Sequence, residues 1–389
     1  MHRMGRLLLR GLALAMLVVP LHADPRPKGP TTPLEINELG QVIVKVRLSA
    51  RKPGIPDRDF RFILDTGASS CVVDASVPTD FFWEEPVDSS GATEALDATQ
   101  QKIATRFVSL KRLAIGGMVR EDLLALRMDL KGTMLGHLQD EPVDGLLGMN
   151  FLHGTRFVLD PARRELRWWQ ELPGWRLPLA MSGSPYLTVK VGKTDVPCML
   201  DTGASGGFQM PGSASPSEHP KPFLFAGASG QIVQGETIQM DQLTAGGKGW
   251  PKVPLDLVKP GEGSATLGQD VLFAAPLGLD FIGETLTFTL DAQGHLPYHR
   301  SPRRAPLIWD RRPNGSGLRV WAVAPGSRWA KAGLQQGDEV LAIGPLAGKA
   351  LTMRAAQRLS GQETPLPWRI RRQGTECRVE VPAPAESAR

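Results

Sequence analysis

Cysteine is scarce in this chain of 389 residues, which contains only three. Cys71 and Cys198 stand beside two related segments, and Cys377 lies far from both near the C-terminus. A small and odd number of cysteines does not support a disulfide-stapled scaffold. Two alternatives stay open for the first pair: a disulfide, which requires that Cys71 and Cys198 meet, or buried free thiols, which we favour.

Metal-binding motifs are also missing. The seven histidines include no His-Glu-x-x-His phrase and do not cluster with the cysteines, so the sequence predicts no metal site. We find no nucleic-acid-binding motif and no indication of a cofactor. The sequence therefore favours a protein that works through its own side chains, without nucleic acid as a partner.

Long apolar runs are rare as well. The run Leu12–Leu21 is the longest and is short for a membrane span. Three arginines precede it and Leu21-His22-Ala23 follows it, an order typical of a secretory signal. We expect residues 1–23 to be a signal peptide cleaved after Ala23, which predicts export across the inner membrane to the periplasm or the extracellular space. Retention as an uncleaved anchor is the alternative.

Net charge is small but unevenly distributed. The formal charge is +5, and removal of a signal with three arginines leaves about +2. Residues 301–389 contain 15 basic and 7 acidic residues, whereas residues 24–300 contain 27 and 33. The basic C-terminal part could contact an anionic envelope surface. A solvated basic face is the plainer interpretation, and we favour it.

One phrase occurs twice in the chain. Residues 62–70 are Phe-Ile-Leu-Asp-Thr-Gly-Ala-Ser-Ser and residues 198–206 are Cys-Met-Leu-Asp-Thr-Gly-Ala-Ser-Gly. A shared Leu-Asp-Thr-Gly-Ala-Ser is too long to expect by chance. Two carboxyl groups that face each other can share a proton and act as base and acid on one water molecule. Asp65 and Asp201 are therefore the candidate catalytic residues.

The phrase belongs to a longer duplication. The matching pairs are Leu113–Gly117 with Leu243–Gly247, Gly145–Leu152 with Ala265–Leu272, and Phe157–Asp160 with Leu277–Asp280. The last two pairs are 120 residues apart and the Asp phrases are 136 apart, so the first copy has 16 extra residues. We expect the surplus in the polar stretch 79–101, which has the composition of a loop.

Both copies have the apolar alternation of β-strands. Predicted strands are Val42–Leu48, Tyr186–Val191, Arg164–Trp169 and Glu284–Leu290, and the predicted short helices are Asn150–His153 and Asp270–Ala274. The expected fold class is therefore mainly β.

Residues 34–290 resemble two retroviral-type (retropepsin-like) aspartic protease subunits joined in one chain. The resemblance rests on the two Asp phrases and on the segments Leu146-Leu147-Gly148 and Thr266-Leu267-Gly268. It implies two β-barrel lobes related by a pseudo-twofold axis, which we place at 34–172 (the first lobe) and 173–296 (the second lobe). Because one chain supplies both Asp phrases, the resemblance implies a monomer that is complete for catalysis.

The same resemblance implies roles for the residues around each aspartate. Thr66 and Thr202 would lock the two loops together, and Gly67 and Gly203 would allow the tight turn. Ala68 and Ala204 stand where pepsin-like enzymes have a hydroxyl that stabilises the ionised aspartate. Without that donor the pKa values of the pair should be higher, which predicts a working pH of roughly 5–7.

Other site residues are less sharply defined. Ser69 and Ser205 would bind substrate backbone or, alternatively, cap the local turn. A flap closing over the cleft is expected at Gly227–Gly230, with Gly227 and Gly230 as substrate-binding candidates, and at Ser90-Gly91-Ala92 in the first lobe. Plain surface loops are the alternative for both segments.

The C-terminal part has a different pattern. Residues 297–306 are rich in proline and arginine and are expected to be a linker. Then follow Gly315–Val320, Val323–Ser327, Ala330–Leu334 and Gly337–Ile343, in an order that resembles bacterial PDZ domains.

This second resemblance implies a PDZ domain over residues 307–384, with a groove helix at Met353–Leu359 and a strand at Trp368–Arg371. A PDZ domain adds an extended peptide to a sheet edge, and the resemblance implies that Gly315, Ser316, Gly317 and Leu318 bind the terminal carboxylate. The alternative is a closed groove that only packs on the protease lobes.

Three functions are consistent with these patterns. The first is a secreted aspartic endopeptidase whose PDZ domain recruits a protein or peptide substrate. The second is a non-catalytic peptide-binding protein with a protease-like fold, and the third is a structural envelope protein. Both Asp-Thr-Gly phrases are undamaged, and two facing buried carboxyl groups are costly to keep without use. The sequence therefore favours the enzyme.

Overall fold

The computed structural model describes residues 29–84, 93–215, 219–299, 307–311, 317–360 and 365–383. The expected signal peptide, most of the expected linker, the flap candidate Ser90–Ala92, and Gly315 and Ser316 lie outside these ranges. The described chain is mainly β, as predicted. Within it, no helix combines the length and apolar character that crossing a membrane requires.

Strands and two one-turn α-helices build the described part of the first lobe. The strands are β1 (Thr31–Pro33), β2 (Glu35–Ile36), β3 (Val42–Leu48), β4 (Arg58–Leu64), β5 (Val72–Asp74), β6 (Trp83–Glu84), β7 (Thr93–Leu96), β8 (Lys102–Ile115), β9 (Met118–Met128), β10 (Gly145–Leu147), β11 (Arg156–Asp160) and β12 (Glu165–Trp168). The helices are α1 (Met134–His137) and α2 (Met149–Leu152), and a 3-10 turn covers Thr79–Phe81.

The second lobe repeats this arrangement. Its strands are β13 (Trp175–Pro178), β14 (Ala180–Ser182), β15 (Ser184–Val191), β16 (Thr194–Leu200), β17 (Phe208–Pro211), β18 (Lys221–Ala226), β19 (Ile232–Ala245), β20 (Lys248–Val258), β21 (Thr266–Leu267), β22 (Leu277–Asp280) and β23 (Thr285–Phe288), and its described residues also include the helix α3 (Gln269–Leu272). Helices α2 and α3 begin and end within two residues of the predicted bounds.

The main sheets of the two lobes share a strand order. The order is β2-β3-β4-β10-β5-β9-β8-β6 in the first and β14-β15-β16-β21-β17-β20-β19-β18 in the second. In each, a late strand, β10 or β21, inserts between the strand before the Asp loop and the strand after it. Gly145 permits this insertion, because an added Cβ would lie 2.4 Å from the Val72 carbonyl oxygen. Each Asp loop is therefore held from both sides.

A third sheet joins the lobes. Its order is β1-β12-β11-β22-β23-β13, with β11 of one lobe antiparallel to β22 of the other. Phe157, Trp168 and Phe281 meet edge to face beneath it. Full burial of each such side chain contributes about 1.5–3 kcal/mol, so this sheet fixes the lobes relative to each other.

The extra residues of the first lobe are divided between two places. The hairpins β8–β9 and β19–β20 have equal lengths and are separated by 130 residues in sequence. The corresponding separation is 136 residues for the Asp loops and 120 residues for the last strands of each lobe. Six of the 16 extra residues therefore precede the hairpin, and ten follow it in residues 129–144, which include α1.

The prediction of one loop at 79–101 was therefore wrong. That stretch contains the 3-10 turn, β6 and β7, and both of these strands pair with the long β8. Phe81 and Phe82 are buried in the lobe's core. In the described part of this stretch, Trp83, Glu84, Glu94 and Leu96 are exposed residues of strands, so the exposed positions there do not mark a loop.

The described residues between 307 and 383 form a sheet with a core of its own, called here the C-terminal module. Its strands are β24 (Leu307–Arg311), β25 (Leu318–Val323), β26 (Glu339–Ile343), β27 (Leu346–Ala347), β28 (Leu366–Arg372) and β29 (Thr375–Val381). Its helices are α4 (Arg328–Lys331) and α5 (Met353–Ser360), and a 3-10 turn covers Gly348–Ala350. Helix α5 contains the predicted groove helix. Stacked Trp309 and Trp368, with centroids 5.1 Å apart, lie in a core of its own.

The edge of the module's sheet differs from the expectation. The order β24-β25-β26-β28-β29 makes β25 a central strand, because Leu318 pairs with both Arg311 and Val340. The expected carboxylate loop Gly315–Leu318 therefore does not lead into a free edge. The edge strand on that side is β24.

Candidate active site

The two aspartates stand at equivalent places, directly after β4 and β16. The Asp65 backbone N–H donates to the Leu147 carbonyl oxygen at 3.1 Å, and that of Asp201 donates to Leu267 at 2.9 Å. Each loop is thus tied to the late strand of its own lobe. Both aspartates are partly exposed, whereas the threonines that follow them are fully buried.

The threonine hydroxyls connect the two loops, as predicted. The Thr66 hydroxyl donates to the Leu200 carbonyl oxygen at 2.6 Å and accepts from the Thr202 N–H at 3.1 Å. The Thr202 hydroxyl donates to the Leu64 carbonyl oxygen at 2.7 Å and accepts from the Thr66 N–H at 3.0 Å. These four buried bonds hold the loops in a pseudo-twofold arrangement.

The glycines bring the carboxyl groups into opposition. A Cβ added to Gly67 would lie 2.5 Å from the Asp201 Cγ, and one added to Gly203 would lie 2.7 Å from the Asp65 Cγ. No other residue fits at either position, because both distances are far below van der Waals contact. Each glycine therefore lies directly against the opposite carboxyl group.

Backbone donors converge on each carboxyl group. Asp65 Oδ1 accepts from the N–H groups of Gly67 at 2.9 Å and Ala68 at 3.0 Å. Asp201 Oδ1 accepts from Gly203 at 2.8 Å and Ala204 at 3.0 Å. These bonds stabilise the charged form of each aspartate.

Burial opposes ionisation of the pair. It raises the pKa of Asp65, and it raises the pKa of Asp201 well above its ordinary value, where the negative charge of Asp65 adds to the effect. The two adjacent carboxyl groups also repel each other when both are ionised, which disfavours the doubly ionised pair. The pair is therefore suited to hold one shared proton.

Helices α2 and α3 support the loops from behind. The N–H groups of Met149 and Asn150 donate to the carbonyl oxygens of Ala68 and Ser69, at 2.8 and 3.2 Å. Gln269 N–H donates to Ala204 in the same way, at 3.1 Å. The apolar-apolar-Gly segments before these helices therefore act as the scaffold of the Asp loops.

Ser69 and Ser205 lie in the same loops as the aspartates. Both are exposed, and within the described residues neither hydroxyl has a hydrogen-bond partner. The turn-capping alternative is therefore not observed. Both hydroxyls are free to contact a ligand beside the aspartates.

The tips of two hairpins meet. Gly227 and Gly230 form the turn between β18 and β19, and Asp97 and Gln100 form the equivalent turn between β7 and β8. Asp97 Oδ2 accepts from the Ser229 N–H at 2.9 Å. Sequence reasoning missed Asp97, although its position 130 residues before Gly227 follows from the hairpin repeat.

Two further residues that the sequence did not reveal reach the Asp loops. Gln41, just before β3, donates from Nε2 to the Gly203 carbonyl oxygen at 2.8 Å. Ser184, at the start of β15, donates from Oγ to the Gly67 carbonyl oxygen at 3.0 Å. Each acts across the lobe boundary, so nothing in its local sequence indicates its partner.

The cysteines are free, which settles the alternative left open by the sequence. Cys71 and Cys198 are buried, and burial raises the pKa of each thiol to about 12. Thiols so protonated are unreactive at neutral pH. In the described part of the chain, His, Cys, Asp and Glu side chains form no group of three or more that could hold a metal ion.

The C-terminal module contacts the extra residues of the first lobe. Asp140 accepts from the N–H groups of Met353 and Arg354 at the start of α5, at 3.0 and 3.3 Å, and pairs with Arg311 at 2.8 Å. Beside it, His137 Nδ1 lies 3.0 Å from Oδ1 of the buried Asp310. The segment 137–140 thus lies between β24 and the start of α5.

A small apolar cluster connects the module to the second lobe. Leu224 of β18 packs with Ile308 of β24 and with Ala324. Because β18 is one strand of the hairpin that ends at Gly227, the module contacts the hairpin whose tip meets Asp97. The module is therefore linked to both lobes.

Comparison with known proteins adds one family match. A family described as "Aspartyl protease" matches residues 53–151, which include the first Asp loop and Gly148. No curated protein matches the chain. Among solved structures, basic 7S globulin from soybean is similar, with 11% sequence identity and a TM-score of 0.39 over 68% of this chain and 95% of that one.

Proposed function

We propose that the protein is an aspartic-type endopeptidase that hydrolyses peptide bonds with a water molecule activated between Asp65 and Asp201. The observation that carries the proposal is the contact of the two Asp-Thr-Gly loops, in which each glycine lies against the opposite carboxyl group. The aspartyl-protease family match over residues 53–151 supports a peptidase.

The chemistry follows from one shared proton. The ionised carboxylate takes a proton from the water while the protonated carboxyl donates a hydrogen bond to the substrate carbonyl oxygen. The resulting hydroxide adds to the carbonyl carbon, and a proton returned by the pair to the amide nitrogen allows the C–N bond to break. The pair titrates as a unit, so base and acid are not assigned to individual residues.

The hairpin tips at Asp97–Gln100 and Gly227–Gly230 are proposed to cover the bound peptide. Their contact across the lobes supports a closed position that excludes water from the reacting groups. The exposed hydroxyls of Ser69 and Ser205 are proposed to bind the peptide backbone in the space beneath.

Cleavage of casein by residues 24–389 between pH 3 and 8 tests the proposal. We expect Asp65→Asn and Asp201→Asn each to abolish cleavage, and pepstatin to inhibit the parent. Asp195→Asn is the matched control, since Asp195 is an exposed aspartate on β16. Cleavage that persists in either dyad variant would exclude the mechanism.

The C-terminal module is proposed to be a PDZ domain that recruits substrate as an extended peptide. Among the described strands β24 pairs with β25 alone, so its other edge is available to a peptide once segment 137–140 moves. A library of peptides with free carboxyl termini, presented to full-length Asp65→Asn protein, tests this role. We expect selected peptides to bind, and to lose binding when a substitution disrupts β24.

A non-catalytic peptide-binding protein is the alternative function. It predicts peptide binding by the parent with no cleavage at any pH. We further propose that residues 1–23 direct export and are removed after Ala23. N-terminal sequencing of the protein recovered outside the cytoplasm should begin at Asp24, and an intact N-terminus would show a retained anchor.

A further inference from the structure

Gln41 and Ser184 occupy the same place in the two lobes. On β3, Ile43 stands opposite Ile63, and on β15, Tyr186 stands opposite Met199. Ile63 and Met199 each lie two residues before an aspartate of the pair. Gln41 lies two residues before Ile43, and Ser184 lies two residues before Tyr186. The two side chains are therefore equivalents, although one is an amide and the other a hydroxyl.

Each side chain crosses to the other lobe and donates to a glycine carbonyl oxygen. Gln41 Nε2 is 2.8 Å from the Gly203 oxygen, and Ser184 Oγ is 3.0 Å from the Gly67 oxygen. Gln41 and Ser184 are each only 6% exposed, so water competes little for either bond. Asn37 further fixes Gln41, because its Nδ2 donates to Gln41 Oε1 at 2.9 Å.

The peptide groups that receive these bonds also touch the aspartates. The Gly203 carbonyl belongs to the same peptide unit as the Ala204 N–H, which donates to Asp201 Oδ1 at 3.0 Å. The Gly67 carbonyl and the Ala68 N–H form the matching unit at Asp65, also at 3.0 Å. A peptide unit whose oxygen accepts a hydrogen bond is polarised, and its N–H becomes a stronger donor.

We propose that Gln41 and Ser184 are positioning residues that orient and polarise these two peptide units and so tune the aspartate pair from the opposite lobe. The inference rests on the proposed function. The bonds from Gln41 and Ser184 strengthen backbone donors in loops where Ala68 and Ala204 offer no hydroxyl. The tuning is unequal, because an amide acts on the Asp201 loop and a hydroxyl acts on the Asp65 loop.

The direction of the expected pH effect depends on whether the two hydrogen bonds stabilise the ionised or the protonated form of the carboxyl groups. A stronger N–H donor favours the ionised carboxyl and lowers its pKa. The influences that act on the pair are burial, the N–H groups of Gly67, Ala68, Gly203 and Ala204, and the partner carboxyl. Loss of either donor should therefore raise the lower pKa of the pair and move the acid limb of the pH profile upward.

Ser184→Ala and Gln41→Met test the inference through pH profiles of kcat and kcat/KM. We expect each to move the acid limb upward by about 0.5 pH unit and to lower kcat more than it changes KM. Ser184→Thr keeps the hydroxyl and should restore the parent profile. Ser49→Ala removes a buried hydroxyl that donates to Asp57, at the far end of β3 from Gln41, and should leave the profile unchanged.

A direct titration separates this inference from the proposed function. The carboxyl carbons of Asp65 and Asp201 can be followed by ¹³C NMR and assigned with Asp65→Asn and Asp201→Asn. An upward shift of the lower pKa of the pair in Ser184→Ala would support the proposed polarisation of the peptide units even if the parent protein cleaves no substrate. Unchanged pKa values in both Ser184→Ala and Gln41→Met would overturn it, whatever the activity of the parent.

Discussion

At the scale of the residue, the Asp-Thr-Gly loops combine hydrogen bonds that hold the two lobes together with aspartates whose ionised forms are disfavoured by burial. The threonine hydroxyls satisfy buried backbone groups of both lobes, and the glycines leave room only for the opposite carboxyl group. The aspartates themselves are held where burial penalises their ionised form. These two effects can be measured separately.

Thr66→Val should destabilise the protein. It removes the hydroxyl that donates to Leu200 and leaves the buried Thr202 N–H without its acceptor. We expect a loss of about 2–3 kcal/mol in the free energy of unfolding, measured by urea denaturation. Thr66→Ser keeps the hydroxyl and serves as the control. Equal losses in the two variants would mean that packing of the methyl group, and not the hydrogen bonds, holds the loops.

Asp201→Asn should stabilise the protein at neutral pH. Burial raises the pKa of Asp201 in the folded state. Protonation of Asp201 therefore stabilises the folded protein, and this contribution is complete below the pKa of the unfolded state and is lost as pH rises through the pKa of the folded state. Asparagine removes that loss, worth about 1.4 kcal/mol for each unit by which the pKa is raised. Unfolding measured at pH 4 and pH 7 should show a gain at pH 7 that shrinks at pH 4. A gain that is independent of pH would contradict the linkage.

At the scale of the element, the hairpin tips form a junction with little spare room. A Cβ added to Gly227 would lie 2.2 Å from Asp97 Oδ2 and 2.7 Å from Thr99 Oγ1. Asp97 Oδ1 is already occupied by the N–H groups of Thr99 and Gln101. The junction therefore depends on a glycine in one lobe and a carboxylate in the other.

Gly227→Ala should separate the tips and lower kcat/KM by about tenfold, because a poorly closed flap admits water and holds the substrate less firmly. Gly230→Ala is the control in the same turn: its φ is +88°, so alanine is strained there, but nothing lies within 4 Å of the added Cβ. Steady-state kinetics on a peptide substrate compare the two. Equal effects would show that turn strain alone matters.

At the scale of the whole molecule, residues 137–140, in the stretch that is longer in the first lobe, supply one of the contacts with the C-terminal module, and the apolar cluster around Leu224 supplies another. Segment 137–140 lies against β24 and the start of α5. A peptide bound at β24, as proposed above, would compete with it. Gln139 in this segment is fully buried, and its side-chain amide has no partner within the described residues.

Asp140→Ala should loosen the module. It removes the carboxylate that accepts from Met353 and Arg354 and pairs with Arg311, worth about 1–3 kcal/mol of docking. We expect faster amide hydrogen exchange in α5 and β24 while the cores of both lobes stay protected. Glu141→Ala, at the exposed neighbouring position, is the control. Unchanged exchange in Asp140→Ala would show that the apolar cluster around Leu224 holds the module by itself.

By itself, the sequence determined the mainly β class, the two Asp-Thr-Gly loops, and the bounds of α2, α3 and α5 to within two residues. These features are encoded locally, because alternating apolar residues mark strands and the Asp-Thr-Gly phrase needs no distant partner to be recognised.

Only the tertiary structure decided which strands are edges, where the extra residues lie, and which side chains cross between lobes. Strand alternation records burial but not pairing, so it could not show that β25 is central or that β6 and β7 pair with β8. Gln41 reaches Gly203 over 162 residues of chain, and Ser184 reaches Gly67 over 117. Contacts at such separations leave no local pattern, because they form only when the third sheet brings the two lobes together.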